Sequence, residues 1–166
     1  MLGHPTTPTD PRVMPTALGV RSSLRVPADL RVVAFVRCAI ACVLDREDWP
    51  AESASLVLLA SSEALTNAIE HGSPADGRVD IDLDVTRDRA DIRIVDQGVP
   101  GTATPRLPSG PPPVTAERGR GLLIISRIAD DFEMVPAGGG TEVHVGFWRH
   151  AAAEEADELA LGARAA

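Results

Sequence analysis

The spacing of apolar positions changes twice along the chain, and the changes mark out its elements. Ala17 to Val26 alternates weakly, the pattern of an edge strand. Pro27-Ala28-Asp29 is a helix opening, and Leu30 to Leu44 continues with amphipathic spacing. Asp45 to Ser55, with Trp49-Pro50, leads to a second helix that Pro50-Ala51-Glu52 can open early. That helix carries the apolar run Leu56-Val57-Leu58-Leu59-Ala60 and continues to His71. Its positions 57, 58, 61, 62, 64, 65, 68 and 69 are apolar or small and fall on one side, which predicts its core face. Glu63, Asn67 and His71, spaced by four, line up on another side. Gly72-Ser73-Pro74 predicts the helix end.

Past this point the period drops to two. Val79-Asp80-Ile81-Asp82-Leu83-Asp84-Val85 alternates apolar with acidic residues, a strand with one wet face. Arg87-Asp88-Arg89 turns it into Ala90 to Val95, which runs into Asp96-Gln97-Gly98-Val99-Pro100. Pro100 to Pro113 holds six prolines and no period, so it reads as a loop, long enough for a functional lid or a linker. Thr115 to Gly121 enters a helix at Leu122 to Ala129. Phe132 to Val135 reads as a strand, Gly138-Gly139-Gly140 as a turn, and Thr141 to Trp148 as an alternating strand.

Strand, helix, helix, strand, strand, loop, helix, strand, strand predicts an α+β fold. The expected form is a two-layer α/β sandwich: a mixed, mostly antiparallel sheet with helices on one face. Residues 18–149 form the expected domain, with a lid at about 99–118. A Pro-rich segment, 1–17, is expected to be disordered, and 150–166 is an acidic, Ala-rich tail.

Composition narrows the function. A net charge of −8 argues against nonspecific nucleic-acid or anionic-membrane binding. No apolar run reaches membrane-spanning length and no signal peptide is visible, so the expected location is cytoplasmic. Cys38 and Cys42, four apart in an apolar helical run, lack further zinc ligands and are expected to pack in the core. The chain has no Lys, no Tyr and a single Asn, Asn67, a usage that points to GC-rich codons. Asn is a mediocre helix-interior residue, because its side chain competes for backbone hydrogen bonds. A lone Asn in that setting points to a task for the amide.

Three stretches can carry chemistry. Glu63 and Asn67 place a carboxylate one helical turn from a carboxamide. Asp96-Gln97-Gly98 puts an acceptor at a strand end, with a glycine that permits close approach. Arg118-Gly119-Arg120-Gly121 precedes a helix whose free N–H groups attract anions. Singly, each has an ordinary reading: a solvated helix face, an Asp-x-Gly turn, a flexible loop-to-helix junction. No stretch resembles a nucleophile elbow.

In this order, and with Gly140-Thr141 before the last strand, they resemble the ATP-binding domain shared by gyrase, Hsp90, histidine kinases and mismatch-repair proteins, the Bergerat-type fold. The short single-domain form resembles the anti-sigma-factor serine kinases. The resemblance spans roughly residues 20 to 148, and Ser62 to Gly72 is its most specific part. It implies ATP and Mg²⁺ as cofactors. Glu63 would be the general base, and Asn67 would give its side-chain oxygen to Mg²⁺. Asp96 would hold the adenine amine, with Gly98 leaving room for the ring. Gly119 and Gly121 would cradle phosphates at the entry that Arg118, Arg120 and Leu122 share, and Thr141 would sit near the adenine end. Where the family has Asp-x-Gly-x-Gly, this chain reads Asp96-Gln97-Gly98-Val99-Pro100, with proline in place of the second glycine. The lid holds no Lys, so Arg106, Arg118 or Arg120 would meet the terminal phosphate.

The resemblance implies a protein serine kinase that phosphorylates a small STAS-type anti-sigma antagonist and holds a sigma factor, as a homodimer joined through its N-terminal strand region. The intact Glu63 favours this reading. The alternative is a nucleotide-dependent binding module without transfer activity, which Pro100 favours. A detached histidine-kinase domain would need a phosphoacceptor histidine on a preceding helical hairpin, and His4 lies in the tail.

Overall fold

The computed structural model describes residues 19–99 and 121–149. The elements run β1 (Val20–Pro27), α1 (Arg31–Arg46), α2 (Ala51–Glu70), β2 (Arg78–Val85), β3 (Arg89–Val95), α3 (Gly121–Ile128), β4 (Asp131–Ala137) and β5 (Gly140–Trp148). Their order is the one the periodicity predicts. The tails at 1–17 and 150–166 and all of the lid beyond Val99 lie outside the described residues, as do Arg106, Arg118, Gly119 and Arg120.

One sheet, in the order β1-β2-β3-β5-β4, joins all five strands, and every pairing is antiparallel. Strict alternation sends Val79, Ile81, Leu83 and Val85 of β2 inward together with Ala90, Ile92 and Ile94 of β3. The acidic positions of β2 face out. Arg21 pairs with Asp84, Arg25 with Asp80, and Arg93 with both Asp82 and Glu142, so the outer sheet face is laced with cross-strand ion pairs. Gly138 and Gly139 both have positive φ, 57° and 95°, which gives the β4–β5 hairpin a two-residue turn suited to the sheet's twist.

Helix α2 crosses the inner face of the sheet and buries Val57, Ala60, Ser61, Ala64, Leu65, Ala68 and Ile69. This differs from the predicted face at Leu58 and Ser62, which are only half-buried. Arg37 of α1 reaches over them and donates to the Leu58 carbonyl at 3.0 Å and to Ser62 Oγ at 3.1 Å. Trp49, in the α1–α2 link, is buried and donates from Nε1 to the Thr86 carbonyl at 2.8 Å, tying the helical pair to the β2–β3 turn.

Cys38 and Cys42 are exposed, contrary to expectation. Helix α1 flanks α2 and covers the β1–β2 side of the sheet, so it buries only the stripe Val36, Ile40 and Leu44. Positions 38 and 42 are about 200° around the helix from 36 and 40, and apolar character alone does not bring that side under cover.

Candidate functional site

The ends of α2 and β3 and the starts of α3 and β5 converge on one cavity. Ala64, Ala68, Ile94, Leu122, Met134 and Val143 give it apolar walls, and Asn67, His71, Gly72, Asp96 and Thr141 supply its polar groups. A largely apolar cleft with a few convergent polar groups suits a flat heterocycle that must be both stacked and read.

Asp96, one residue past β3, is 7% exposed. Its Oδ1 accepts from Gly98 N at 2.9 Å and from Thr141 N at 3.0 Å, while its own N–H donates to the Thr141 carbonyl at 3.0 Å. Burial pushes the Asp96 carboxyl above its ordinary value, and the backbone donors of Thr141 and Gly98 work against that rise. Glycines make the arrangement possible. Gly98 has φ +74°, and a Cβ there would lie 1.9 Å from the Gly139 carbonyl oxygen. A Cβ on Gly140 would lie 2.4 Å from Asp96 Oδ1.

Gly72 has a role that the spacing of residues did not reveal. Among the described residues the glycines with positive φ are Gly98, Gly138 and Gly139, so Gly72 does not end α2 by a left-handed turn. It leaves room for Asp96, whose Oδ2 lies 2.2 Å from where a Gly72 Cβ would be. The signal was visible as a glycine next to His71, but its meaning depends on where β3 ends.

At the other end of the cavity, the first residue of α3 meets Glu63 and Asn67. A Cβ on Gly121 would stand 2.7 Å from Glu63 Oε2 and 3.1 Å from Asn67 Nδ2. Asn67 Nδ2 is buried and has no hydrogen-bond partner. An orphaned amide at a cavity wall is a group whose partner arrives with a ligand. No group of three or more His, Cys, Asp or Glu that could hold a metal occurs among the described residues. A hard cation here would therefore draw most of its oxygen ligands from elsewhere, as Mg²⁺ does when it rides on phosphates. That donor set fits Mg²⁺ brought in by a nucleotide.

Of the sequence-predicted residues, Glu63, Asn67, Gly121 and Leu122 thus come together at one end, and Asp96, Gly98 and Thr141 at the other. Arg118, Gly119 and Arg120 fall outside the described residues.

Residues 26–147 match the family described as histidine kinase-like ATPase domain. The chain belongs to that family. It is also similar to the serine-protein kinase RsbW of Bacillus mycoides, 29% identical over 120 residues that cover 68% of this chain and 75% of that one. RsbW of Oceanobacillus iheyensis is 28% identical over 120 residues, covering 67% and 76%. A crystal structure of the RsbU and RsbW domains of a Mycobacterium tuberculosis protein shares the fold, with a TM-score of 0.57 at 17% identity. The match covers 78% of this chain and 34% of that longer one. The α+β sandwich with helices on one sheet face is the fold of this family. No helix among the described residues is long and apolar enough to cross a membrane.

Proposed function

We propose that this chain is an ATP-dependent protein serine kinase of the anti-sigma type. It binds a sigma factor, phosphorylates a serine on a STAS-type antagonist, and works in the cytoplasm as a homodimer. The observation that carries the reading is the junction of Gly121 with Glu63 and Asn67, across the cavity from a buried Asp96.

Asp96 accepts the exocyclic amine of adenine on Oδ2, while the backbone N–H groups of Gly98 and Thr141 hold Oδ1 in place. Ala64, Ala68, Ile94, Met134 and Val143 sandwich the ring. Gly121 lets phosphate oxygens reach the first N–H groups of α3, Leu122 closes the apolar side, and Arg118, Gly119 and Arg120, which precede Gly121 in the sequence, would add charge and room for the phosphates. Asn67 would offer its side-chain oxygen to Mg²⁺, which would supply positive charge to neutralise the phosphates. Glu63 takes the proton from the acceptor serine's hydroxyl as that oxygen bonds to the γ-phosphorus and the β–γ bridging oxygen departs with ADP.

RsbW supports the kinase reading as a relative named a serine-protein kinase. A second reading, nucleotide-dependent binding without transfer, is favoured by Pro100 in place of the family's glycine. The deciding experiment titrates ATP–Mg²⁺ into the protein and then offers labelled ATP with antagonist proteins captured from native lysate. Binding with transfer to a mapped serine supports the kinase. Binding with no transfer to any captured partner supports the second reading.

A further inference from the structure

Helix α2 carries a stripe that the described residues leave open. Glu52, Leu56, Leu59, Glu63 and Glu70 recur at helical spacing on one side, and each is exposed or half-buried. Leu56 is 36% exposed and Leu59 38%. Arg37 of α1 holds a different flank of α2, at the Leu58 carbonyl and Ser62.

Helix α3 borders the stripe. It starts at Gly121 beside Glu63 and Asn67, and just past its end Asp130 N donates to the Gly146 carbonyl, far along β5 from Thr141. Helix α2 runs the other way, toward the end where Gly72 meets Asp96. The two helices are therefore antiparallel, and Ile124, one turn into α3, comes level with α2 one turn back from Glu63, at Leu59. Ile124 is 36% exposed, while Ile125 beside it is fully buried. Leu56, Leu59 and Ile124 thus make an apolar strip along two helices, with Glu63 at its head. A strip of this kind on a small domain marks an interaction surface.

Charge says what covers it. Glu52 stands at one end and Glu63 and Glu70 at the other, with Arg127 the cation that α3 sets against them. The strip therefore suits an element with apolar anchors and basic neighbours. A second copy of this chain, with its net charge of −8, brings acid to acid. So do its own residues 150–166, where Glu154, Glu155, Asp157 and Glu158 outweigh Arg164. Position says what the occupant does. Leu59 lies one turn before Glu63, so an element laid on the strip has its next turn beside that carboxylate.

We propose that Leu56, Leu59 and Ile124 are the docking surface for the phosphoacceptor protein, which lays an amphipathic helix with basic flanks along them and so brings its serine to Glu63. This rests on the kinase reading above and names where that kinase grips its substrate. Apolar anchors about one helical turn apart are the contacts that a groove between two helices offers. Binding gathered away from the reacting atoms holds the hydroxyl in place for transfer.

The test is fluorescence anisotropy on the full chain with two labelled peptides of about five helical turns. Both carry leucine at i, i+3 and i+7. One has lysine on its flanks, and the other has glutamate in the same places. The lysine peptide should bind wild type and the glutamate peptide should not. Leu59→Asp and Ile124→Asp should each weaken the lysine peptide about tenfold or more, and Glu52→Lys a few-fold, with ATP affinity unchanged in all three. Binding by net charge alone would instead tighten when an aspartate is added. In the transfer assay, Leu59→Asp should raise KM for the captured acceptor about tenfold and keep kcat. Circular dichroism of each variant checks folding. No binding of the lysine peptide to wild type, binding that Leu59→Asp and Ile124→Asp leave unchanged, or an acceptor KM that neither moves would overturn the docking surface and leave the kinase reading standing. A wild type that binds the lysine peptide through Leu59 yet transfers to no acceptor would overturn the kinase reading, and with it the acceptor as the occupant.

Discussion

Gly72 and Asp96 are in such close contact that no side chain fits between them: a Cβ on Gly72 would lie 2.2 Å from Asp96 Oδ2 and 2.8 Å from Asp96 Cβ. The end of α2 is thereby fitted to the end of β3. Asp96 cannot swing away at little cost, because Gly98 N and Thr141 N hold its Oδ1. Gly72→Ala should therefore break those bonds or push α2 outward. The expected cost is about 1–3 kcal/mol of stability and at least a tenfold loss of ATP affinity. Urea denaturation and nucleotide titration measure the two. Unchanged ATP affinity would show that adenine does not depend on the Asp96 seat.

Asp96→Asn separates stability from recognition. Burial raises the Asp96 carboxyl in the folded state. The native state then holds a proton more readily than the unfolded chain. Its stability contribution is full below the unfolded value of 3.8 and is lost as pH rises through the raised folded value. At neutral pH the ionised group is thus a burden on folding that the neutral amide lacks. An amide oxygen can still accept from Gly98 N and Thr141 N, but the amide nitrogen would face adenine's amine donor to donor. Asp96→Asn should melt at or above wild type at pH 7 and bind ATP at least tenfold more weakly, since a charge-assisted bond worth about 1.5–3 kcal/mol is gone. A variant that loses stability and keeps binding would contradict both halves.

Much of this was legible in the sequence because periodicity and boxes are local. The switch from helical spacing in Leu56–His71 to strict alternation in Val79–Val85 predicted α2 and β2, and the order of elements followed. Asp96 and Thr141 lie 45 residues apart yet share two backbone-mediated bonds; only the resemblance placed them in one pocket. What escaped depends on packing between elements. Cys38 and Cys42 look like core residues until α2 takes the centre of the sheet and leaves α1 one buried stripe. Gly72 looks like a helix stop until β3 delivers Asp96 against it.

Asn67→Ala tests the metal. Its Nδ2 is buried without a partner, so truncation removes an unsatisfied donor. Apo stability should change by no more than about 0.5 kcal/mol. ATP affinity with Mg²⁺ should fall well beyond any loss in EDTA, because only the metal-dependent part uses the amide oxygen. Calorimetric titration with and without Mg²⁺ reads the difference. Equal losses in both would make Asn67 a direct phosphate or structural group.

Arg93→Ala tests the outer face of the sheet. Arg93 bonds Glu142 at 2.7 Å and Asp82 at 2.9 Å, and its hydrogen bond is the main cause that holds the Glu142 carboxyl below the ordinary 4.5. A depressed carboxylate contributes stability above its unfolded value and loses it as pH falls through its folded value. The variant should show a Glu142 titration moved up toward 4.5 by NMR and a shallower loss of stability below that pH. Arg93 and its partners are partly solvated, so the cost at pH 7 should stay within about 1 kcal/mol.

Glu63→Gln tests transfer itself. Glu63 lies one turn before Asn67 on α2, and its Oε2 is 2.7 Å from where a Gly121 Cβ would be, so a carboxylate stands at the start of α3. Glutamine keeps the size and the hydrogen bonds but cannot accept the hydroxyl proton. If Glu63 is the base, the variant binds ATP as wild type does and transfers γ-phosphate about 10²–10⁴-fold more slowly. The assay is single-turnover transfer of labelled phosphate to the serine of the captured antagonist. A variant as fast as wild type would leave Glu63 as a positioning residue only. A wild type that binds ATP and never transfers would turn attention to Pro100. Pro100→Gly, which restores the family's residue, should then return the activity.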